Sequence, residues 1–256
     1  PGMAGAAFLS ACAAYTVGAG LVQIYTASEN RLALQELLPE AIISCYDSYD
    51  DSQLSHLLDW ADVVCIGCGL GTGQISEKIL KNVLKNVSCP CVIDADGLNL
   101  LNRNIELLNQ CCAPVILTPH MKEMSRLTGW SIDTIMEDRF QALDQIIKQS
   151  GPDTKSSIIC VLKDSRTVVA QTNRQRFVNL AGNNSMAKGG SGDVLAGTIA
   201  GLLAQHMAPF EATTVGVFLH ACGGDEAKKS KGSYSVLARD LIQGMADAMK
   251  NAKECR

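Results

Sequence analysis

The chain has 256 residues, enough for one large α/β domain or two small ones, and one domain is the simpler reading. Aromatic residues make up 5% and charged residues 19%, which excludes a disordered or fibrous chain and suits a layered fold around a buried sheet. Lysine and arginine total 22 against 26 acidic residues, a net charge of −4, and no basic stripe runs along the sequence, so nucleic acid is not an expected partner.

No charge occurs before Glu29, yet Pro1 to Ser28 reads neither as a membrane span nor as a secretory signal. It has no basic n-region, it is rich in Gly, Ala, Ser and Thr, and it is broken at Gly18-Ala19-Gly20. A helix over Ala4 to Val17 and a buried strand over Leu21 to Tyr25 fit it better. Eleven cysteines without framework spacing are expected as reduced thiols, with a cytoplasmic location and no membrane partner. Cys65-x-x-Cys68 with Cys89-x-Cys91 has the ligand count of a zinc site, but Cys65 ends an apolar run and Cys91 opens one, so buried thiols are the preferred reading and no metal ligands are assigned.

Downstream, short apolar runs alternate with helical patterns. Asp62 to Ile66 leads into the glycine-rich stretch Gly67 to Gly73 and a helix over Ile75 to Val87. Cys91-Val92-Ile93 ends at Asp94-Ala95-Asp96-Gly97, and Val115-Ile116-Leu117 ends at Thr118-Pro119-His120. One helix is expected over Ile132 to Gln149, then a strand over Ile158 to Leu162 ending at Lys163. Thr167 to Ala170 and Arg176 to Asn179 predict a hairpin around Thr172-Asn173, followed by helices over Asp193 to His206, Phe210 to Lys228 and Leu237 to Met249. The fold class is therefore α/β, with a mostly parallel central sheet covered by helices on both faces. Ligands of such sheets bind beyond the carboxyl ends of the strands, so Gly67 to Gly73, Asp94 to Gly97, Thr118 to Glu123 and Lys163 to Thr167 are expected to line one crevice.

The densest chemical signal is Gly189-Gly190-Ser191-Gly192-Asp193, which runs straight into the apolar small-residue helix Val194 to Leu203. Residues without bulky side chains at a helix N-terminus let backbone N–H groups approach an anion, and the helix dipole adds about half a positive charge there. Gly189, Gly190, Ser191 and Gly192 thus form a candidate anion hole for a phosphate. Asp193, in the first turn, could take a proton from an attacking hydroxyl, or could serve only as the helix N-cap.

Asn183-x-x-Met186-Ala187-x-Gly189-Gly190-Ser191-Gly192-Asp193-Val194-Leu195-Ala196-Gly197 resembles the signature of the ADP- or ATP-dependent NAD(P)H-hydrate dehydratases, members of the ribokinase-like superfamily. Further matches follow in the family's order along almost the whole chain: Gly2 to Ala7, Gly18 to Val22, Gly67-x-Gly69-Leu70-Gly71, Val92 to Leu98, and Leu117-Thr118-Pro119-His120-x-x-Glu123. The resemblance implies a ribokinase-like fold in a single domain over residues 1–256. The implied reaction phosphorylates the C6 hydroxyl of hydrated NADH or NADPH and eliminates phosphate, with ADP or ATP as co-substrate and Mg²⁺ as cofactor. It implies that Asp193 is the catalytic base, that Ala6, Gly69, His120 and Asp193 contact the hydrated dinucleotide, and that Lys163, Asp164, Ser165, Arg166, Thr167 and Gly192 hold the nucleotide. A homo-oligomer and an epimerase companion are implied as partners.

The sequence departs from the family pattern at Asn184-Ser185 and at Met121-Lys122, where Pro-Gly is usual or common, at Cys68, where Pro is usual, and at Asp164, where Gly is common. The family also carries a strand and glycine-rich turn before Gly2-Met3, so that first strand is expected to be missing here. His56 and His206 gain no support, and His220 is expected to be packed inside its helix. The rival enzyme reading is a ribokinase-like kinase of a vitamin precursor, which shares the anion hole and the aspartate. An NAD-dependent oxidoreductase is disfavoured, because Gly67-x-Gly69-x-Gly71-x-Gly73 lacks the G-x-G-x-x-G spacing. A non-catalytic nucleotide-sensing protein is the alternative from another class.

Overall fold

The computed structural model describes residues 3–149, 157–171 and 175–254; Gly2 and the hairpin turn at Thr172-Asn173 lie outside them. In chain order the elements are α1 (Ala4–Thr16), β1 (Gln23–Ala27), α2 (Arg31–Leu37), β2 (Ile42–Tyr46), α3 (Asp51–Trp60), β3 (Val64–Ile66), α4 (Gln74–Asn86), β4 (Cys91–Ile93), α5 (Ala95–Leu101), β5 (Val115–Leu117), α6 (Met121–Thr128), α7 (Ile132–Glu137), α8 (Arg139–Gln149), β6 (Ile158–Leu162), β7 (Val168–Gln171), β8 (Arg176–Val178), α9 (Ser191–Leu203), α10 (Pro209–Ser235) and α11 (Ala238–Glu254). They fall into two compact units, Pro1–Cys45 with Asn179–Arg256, and Tyr46–Val178. No helix among the described residues is long and apolar enough to cross a membrane.

The second unit is a six-stranded sheet in the order β3-β4-β5-β6-β7-β8. The first four strands are parallel in register Val64↔Cys91, Cys91↔Val115 and Val115↔Ile158, and the hairpin β7–β8 adds two antiparallel strands at one edge. Every residue of β4, β5 and β6 is buried, which matches their continuous apolar runs and requires cover on both faces. The expected single helix over 132–149 is two helices, α7 and α8. Asp138 breaks it with φ −144° and ψ 91°, and its carboxylate accepts from Gln141 N at 2.9 Å, so it starts α8 as a cap.

In the first unit, α1 and α9 touch backbone to backbone. A Cβ on Gly197 would stand 2.0 Å from Ser10 O, and one on Gly201 2.6 Å from Ala14 O. The four-residue spacing on both helices places these small residues on one facing stripe. Leu241, Ile242 and Met245 of α11 close a core with Ala13 and Val194. The strand read over 21–25 begins instead at Gln23, buries only Ile24, and pairs with β2 in a separate two-stranded sheet. α10 runs beyond Lys228 to Ser235 and kinks at Gly232 (φ 74°).

Candidate active site

Because β3 to β6 are parallel, their carboxyl ends emerge on one edge of the second unit and carry residues 67–73, 94–97, 118–123 and 163–167. Gly67 is required where it stands: its φ is 119°, and a Cβ there would lie 1.8 Å from Asp94 O. The loop after β3 therefore rests directly on the turn after β4, and Asp96 Oδ2 fastens it by accepting from Gly71 N at 2.8 Å. Gly69 lies on this loop in the left-handed region, with φ 72°.

Next to that loop is a buried ionic network. Lys163 Nζ donates to Asp94 Oδ1 at 2.6 Å and stands 3.9 Å from Glu123 Oε2; the Asp94 and Glu123 side chains are only 2% and 6% exposed. Burial alone would lower the Lys163 pKa, but Asp94 and Glu123 together outweigh it and hold the ammonium above its ordinary value. Burial raises the Glu123 pKa, opposed by Lys163 and by the N–H of His120.

His120 caps α6 rather than simply ending a strand. Its Nδ1 accepts from Lys122 N (3.1 Å) and Glu123 N (3.3 Å), while Glu123 Oε2 accepts from His120 N (2.8 Å), a reciprocal capping box. An accepting Nδ1 needs the neutral ring, with its proton on Nε2, which stands 3.4 Å from Glu123 Oε1. Burial and then Lys163 lower the His120 pKa, in the same direction. Folding therefore favours the neutral imidazole: the cap contributes fully above the ordinary pKa of 6.5 and is lost as pH falls through the lowered value. His120→Asn keeps a capping oxygen that does not titrate. The excess stability of wild type over this variant, from melts at about pH 7.5 and about pH 5, should shrink at the lower pH; a constant difference would mean that Nδ1 carries no cap.

The loop after β6 separates its own residues. The Lys163 side chain turns inward to Asp94, whereas Asp164, Ser165 and Arg166 are exposed. Asp164 pairs with Arg139 at 2.8 Å, Arg139 also donates to Arg166 O at 3.4 Å, and Thr167 Oγ1 donates to Asp164 O at 3.2 Å, so 164–167 form a self-braced turn.

The first unit carries the glycine-rich helix start. Gly190, with φ 91°, is the residue preceding α9; a Cβ there would lie 2.6 Å from Leu9 Cδ1 and 2.9 Å from Ala238 Cβ. Ser191, Gly192 and Asp193 are then the first three helical residues, and Val194 N closes the turn on Gly190 O at 3.1 Å. Asp193 is consequently not the N-cap, and the capping alternative gives way to a carboxylate in the first turn of a helix dipole. Helix starts leave N–H groups without intrahelical carbonyls, but that of Ser191 donates to Lys188 O at 3.2 Å. Ala6, half-buried near the start of α1, belongs to this unit too. The structure thus groups Ala6, Gly189, Gly190, Ser191, Gly192 and Asp193 in one unit, and Gly69, His120 and Lys163 to Thr167 in the other.

Four polar residues escaped the sequence reading as site residues. Asp94 and Glu123 were visible as members of motifs, but their shared partner Lys163 is remote in sequence. His220 Nε2 lies 3.3 Å from Ser191 Oγ, so it is buried against the glycine-rich turn and not only within its helix. Asp225 receives Asn183 Nδ2 at 2.7 Å and Gly182 N at 3.2 Å. Of the described cysteines, Cys91, Cys111 and Cys160 are buried, Cys112 is exposed and the rest are half-buried. Burial, then the neighbouring Cys111, Cys65 and Cys89, push the Cys91 pKa well above its ordinary value, and the four zinc-spaced cysteines do not gather as one ligand set among the described residues.

A family model described as NAD(P)H-hydrate dehydratase matches residues 1–246. The bifunctional NAD(P)H-hydrate repair enzyme Nnr of Moorella thermoacetica is 35% identical over 262 residues, covering 99% of this chain and 48% of its own length. The ADP-dependent (S)-NAD(P)H-hydrate dehydratase of Neisseria meningitidis is 36% identical, covering 98% of this chain and 82% of its own. Among solved structures, a ribokinase-like superfamily protein of Enterococcus faecalis matches with TM-score 0.79 and 33% identity over 96% of this chain and 82% of that one. The ADP/ATP-dependent NAD(P)H-hydrate dehydratase of Bacillus subtilis, co-crystallised with ATP/Mg²⁺, matches with TM-score 0.78 and 27% identity over 97% and 85%. The chain spans about half the length of the bifunctional relatives it matches.

Proposed function

Since this chain belongs to the NAD(P)H-hydrate dehydratase family, we propose that it repairs hydrated NADH and NADPH at the expense of ADP or ATP. The observation that carries the mechanism is the start of α9, where Gly190 and Gly192 bring backbone without side chains to a helix N-terminus with Asp193 in its first turn. Asp193 takes the proton of the C6 hydroxyl as its oxygen attacks the terminal phosphorus, and the bond from that phosphorus to the leaving nucleotide breaks. The backbone of residues 189–192, aided by the helix dipole, stabilises the charge on the transferring group. The C6–O bond then breaks with phosphate as leaving group, a far better one than hydroxide, the adjacent C5 gives up a proton to solvent, and the C5–C6 double bond of the dihydronicotinamide returns.

Ala6, Gly69 and His120 hold the hydrated dinucleotide, and Asp164, Ser165, Arg166 and Thr167 with Gly192 hold the nucleotide. Lys163 fits this set differently: with its ammonium on Asp94, it fixes the base of the nucleotide loop instead of reaching outward. The acidic side chains of the strand-end loops have protein partners, Asp94 with Lys163, Asp96 with Gly71 N and Asp164 with Arg139. Mg²⁺ entering on the nucleotide phosphates, with water completing its shell, agrees with that donor set. We further assign the two units to one catalytic domain, in a cytoplasmic homo-oligomer that works beside an epimerase.

Incubation with hydrated NADH and either nucleotide should give NADH absorbance together with AMP from ADP or ADP from ATP. No turnover with either nucleotide would overturn the dehydratase reading. Two variants probe the substrate side. His120→Ala should raise KM for the hydrated dinucleotide more than it lowers kcat, and a fall confined to kcat would place His120 in phosphoryl transfer instead. Ala6→Leu adds bulk at a half-buried position and should raise that KM by about tenfold, in line with overpacking costs of roughly 1–3 kcal/mol; normal KM together with a normal melting temperature would remove Ala6 from the substrate site.

A further inference from the structure

The glycine-rich turn is held from behind by α10 at three places. At its entry, Asp225 accepts from Gly182 N (3.2 Å) with one carboxylate oxygen and from Asn183 Nδ2 (2.7 Å) with the other. The Asn183 amide has only one workable orientation, because its Oδ1 accepts from Ser185 N at 3.0 Å and from the Ser185 hydroxyl. In the middle, Met186 fills a notch cut by Gly224, where a Cβ would stand 2.3 Å from its sulfur. At the exit, His220 meets Ser191, the first residue of α9 and two before Asp193.

We propose that Asp225 and His220 are positioning residues for phosphoryl transfer: acting through Asn183 and Ser191, they fix the path of residues 182–191 and so the placement of the backbone N–H groups and of Asp193. This rests on the dehydratase reading of that turn. Neither residue contacts the reacting atoms. Each supplies a directed hydrogen bond that a generic packing residue would not, and the bond from Asn183 to Asp225 has a polarity that can be reversed.

That reversal is the test. Asp225→Asn leaves one acceptor oxygen for two donors, so its NH₂ group faces either Asn183 Nδ2 or Gly182 N, or Asn183 turns and loses its bonds to Ser185. A displacement on the order of 1 Å at the turn costs about 10²-fold in kcat. In the swap Asn183→Asp/Asp225→Asn, the amide now at position 225 donates to the carboxylate now at position 183 and accepts from Gly182 N. That carboxylate still accepts from Ser185, so every bond is restored. We expect Asp225→Asn to lower kcat with a small change in KM, to speed amide hydrogen exchange across residues 182–192, and to be rescued by the swap to within about threefold. His220→Leu should lower kcat likewise, and His220→Gln, which still reaches Ser191, should recover most of it. Wild-type kcat and wild-type exchange in Asp225→Asn, or a swap no better than the single variant, would overturn the proposal. If either Asp225 variant does not fold, His220→Leu against His220→Gln decides in the same way. If the wild type itself lacks turnover, the dehydratase reading falls, and the exchange data alone judge whether Asp225 shapes the turn.

Discussion

Asp193→Asn should fold, bind ADP and ATP, and fail to turn over hydrated NADH, with kcat lowered by on the order of 10² to 10⁴. Asparagine keeps the shape and much of the hydrogen bonding of the carboxylate but cannot accept the hydroxyl proton. Nucleotide binding should survive, because on the proposed reading the groups that meet the phosphate at this helix start belong to the backbone. Asp193 is the third residue of α9 and Gly190 precedes the helix, so loss of the N-cap residue is not an available explanation for lost activity. Loss of the first-turn charge has a stability cost of about 0.3–1 kcal/mol, too small to abolish folding. Turnover, calorimetric titration with both nucleotides and a thermal melt, run on the same preparation, decide the matter, and near-normal turnover would remove Asp193 from the mechanism.

Asp94→Ala should markedly destabilise the second unit. It leaves the Lys163 ammonium, only 18% exposed, with Glu123 at 3.9 Å as its remaining ion-pair partner among the described residues. Breaking a buried pair from one side costs about 3–5 kcal/mol, and Glu123 holds the loss near the lower end, which corresponds to a fall in Tm on the order of 6–12 °C. The Lys163 pKa is raised in the folded state, so the pair's contribution is fully present below the ordinary value of 10.5 and is lost as pH rises through the folded value. The difference between wild type and Asp94→Ala should accordingly be level at neutral pH and narrow only in strong alkali. Replacing both partners, Asp94→Leu with Lys163→Met, removes the stranded ammonium but leaves the buried Glu123 without its cation, so it should recover only part of the stability. A single-variant loss below about 1 kcal/mol would mean that water reaches this pair and screens it.

What the sequence discloses follows from how local each feature is. Strands β4, β5 and β6 coincide with the apolar runs over 91–93, 115–117 and 158–162 because strands buried on both faces need unbroken hydrophobic runs. The elements α2, β2, α3, α5 and α6 have no counterpart among the expected ones: α2 is exposed except at Leu34 and β2 buries no residue fully, so neither writes a continuous apolar signal. The break between α7 and α8 does have a signal, an aspartate three residues before a glutamine, but the apolar spacing carries a helix straight through it. The glycine-rich turn is legible since five consecutive residues and the helix behind them state its chemistry. The Lys163–Asp94 pair joins residues 69 apart, and His220 meets Ser191 across 29, so neither is written in any local spacing. His120 shows the intermediate case. Its motif marks it as a site residue, while its neutral tautomer is evident only from the direction of two backbone N–H groups.

The second unit is one uninterrupted stretch, Tyr46–Val178, whereas the first is assembled from both ends of the chain. During synthesis the sheet with its Lys163 network can therefore complete its contacts while the C-terminal third is still being made. The opposite holds for α1, whose backbone face at Ser10 and Ala14 is matched by Gly197 and Gly201 of α9. It must wait, with that face uncovered, for a partner almost two hundred residues later. Loops of that length close slowly and leave apolar surface open to misassociation. Asp193 and the helix that carries it thus take shape after the sheet of the second unit, and a nascent chain stalled before residue 203 would carry a folded sheet but no organised glycine-rich turn.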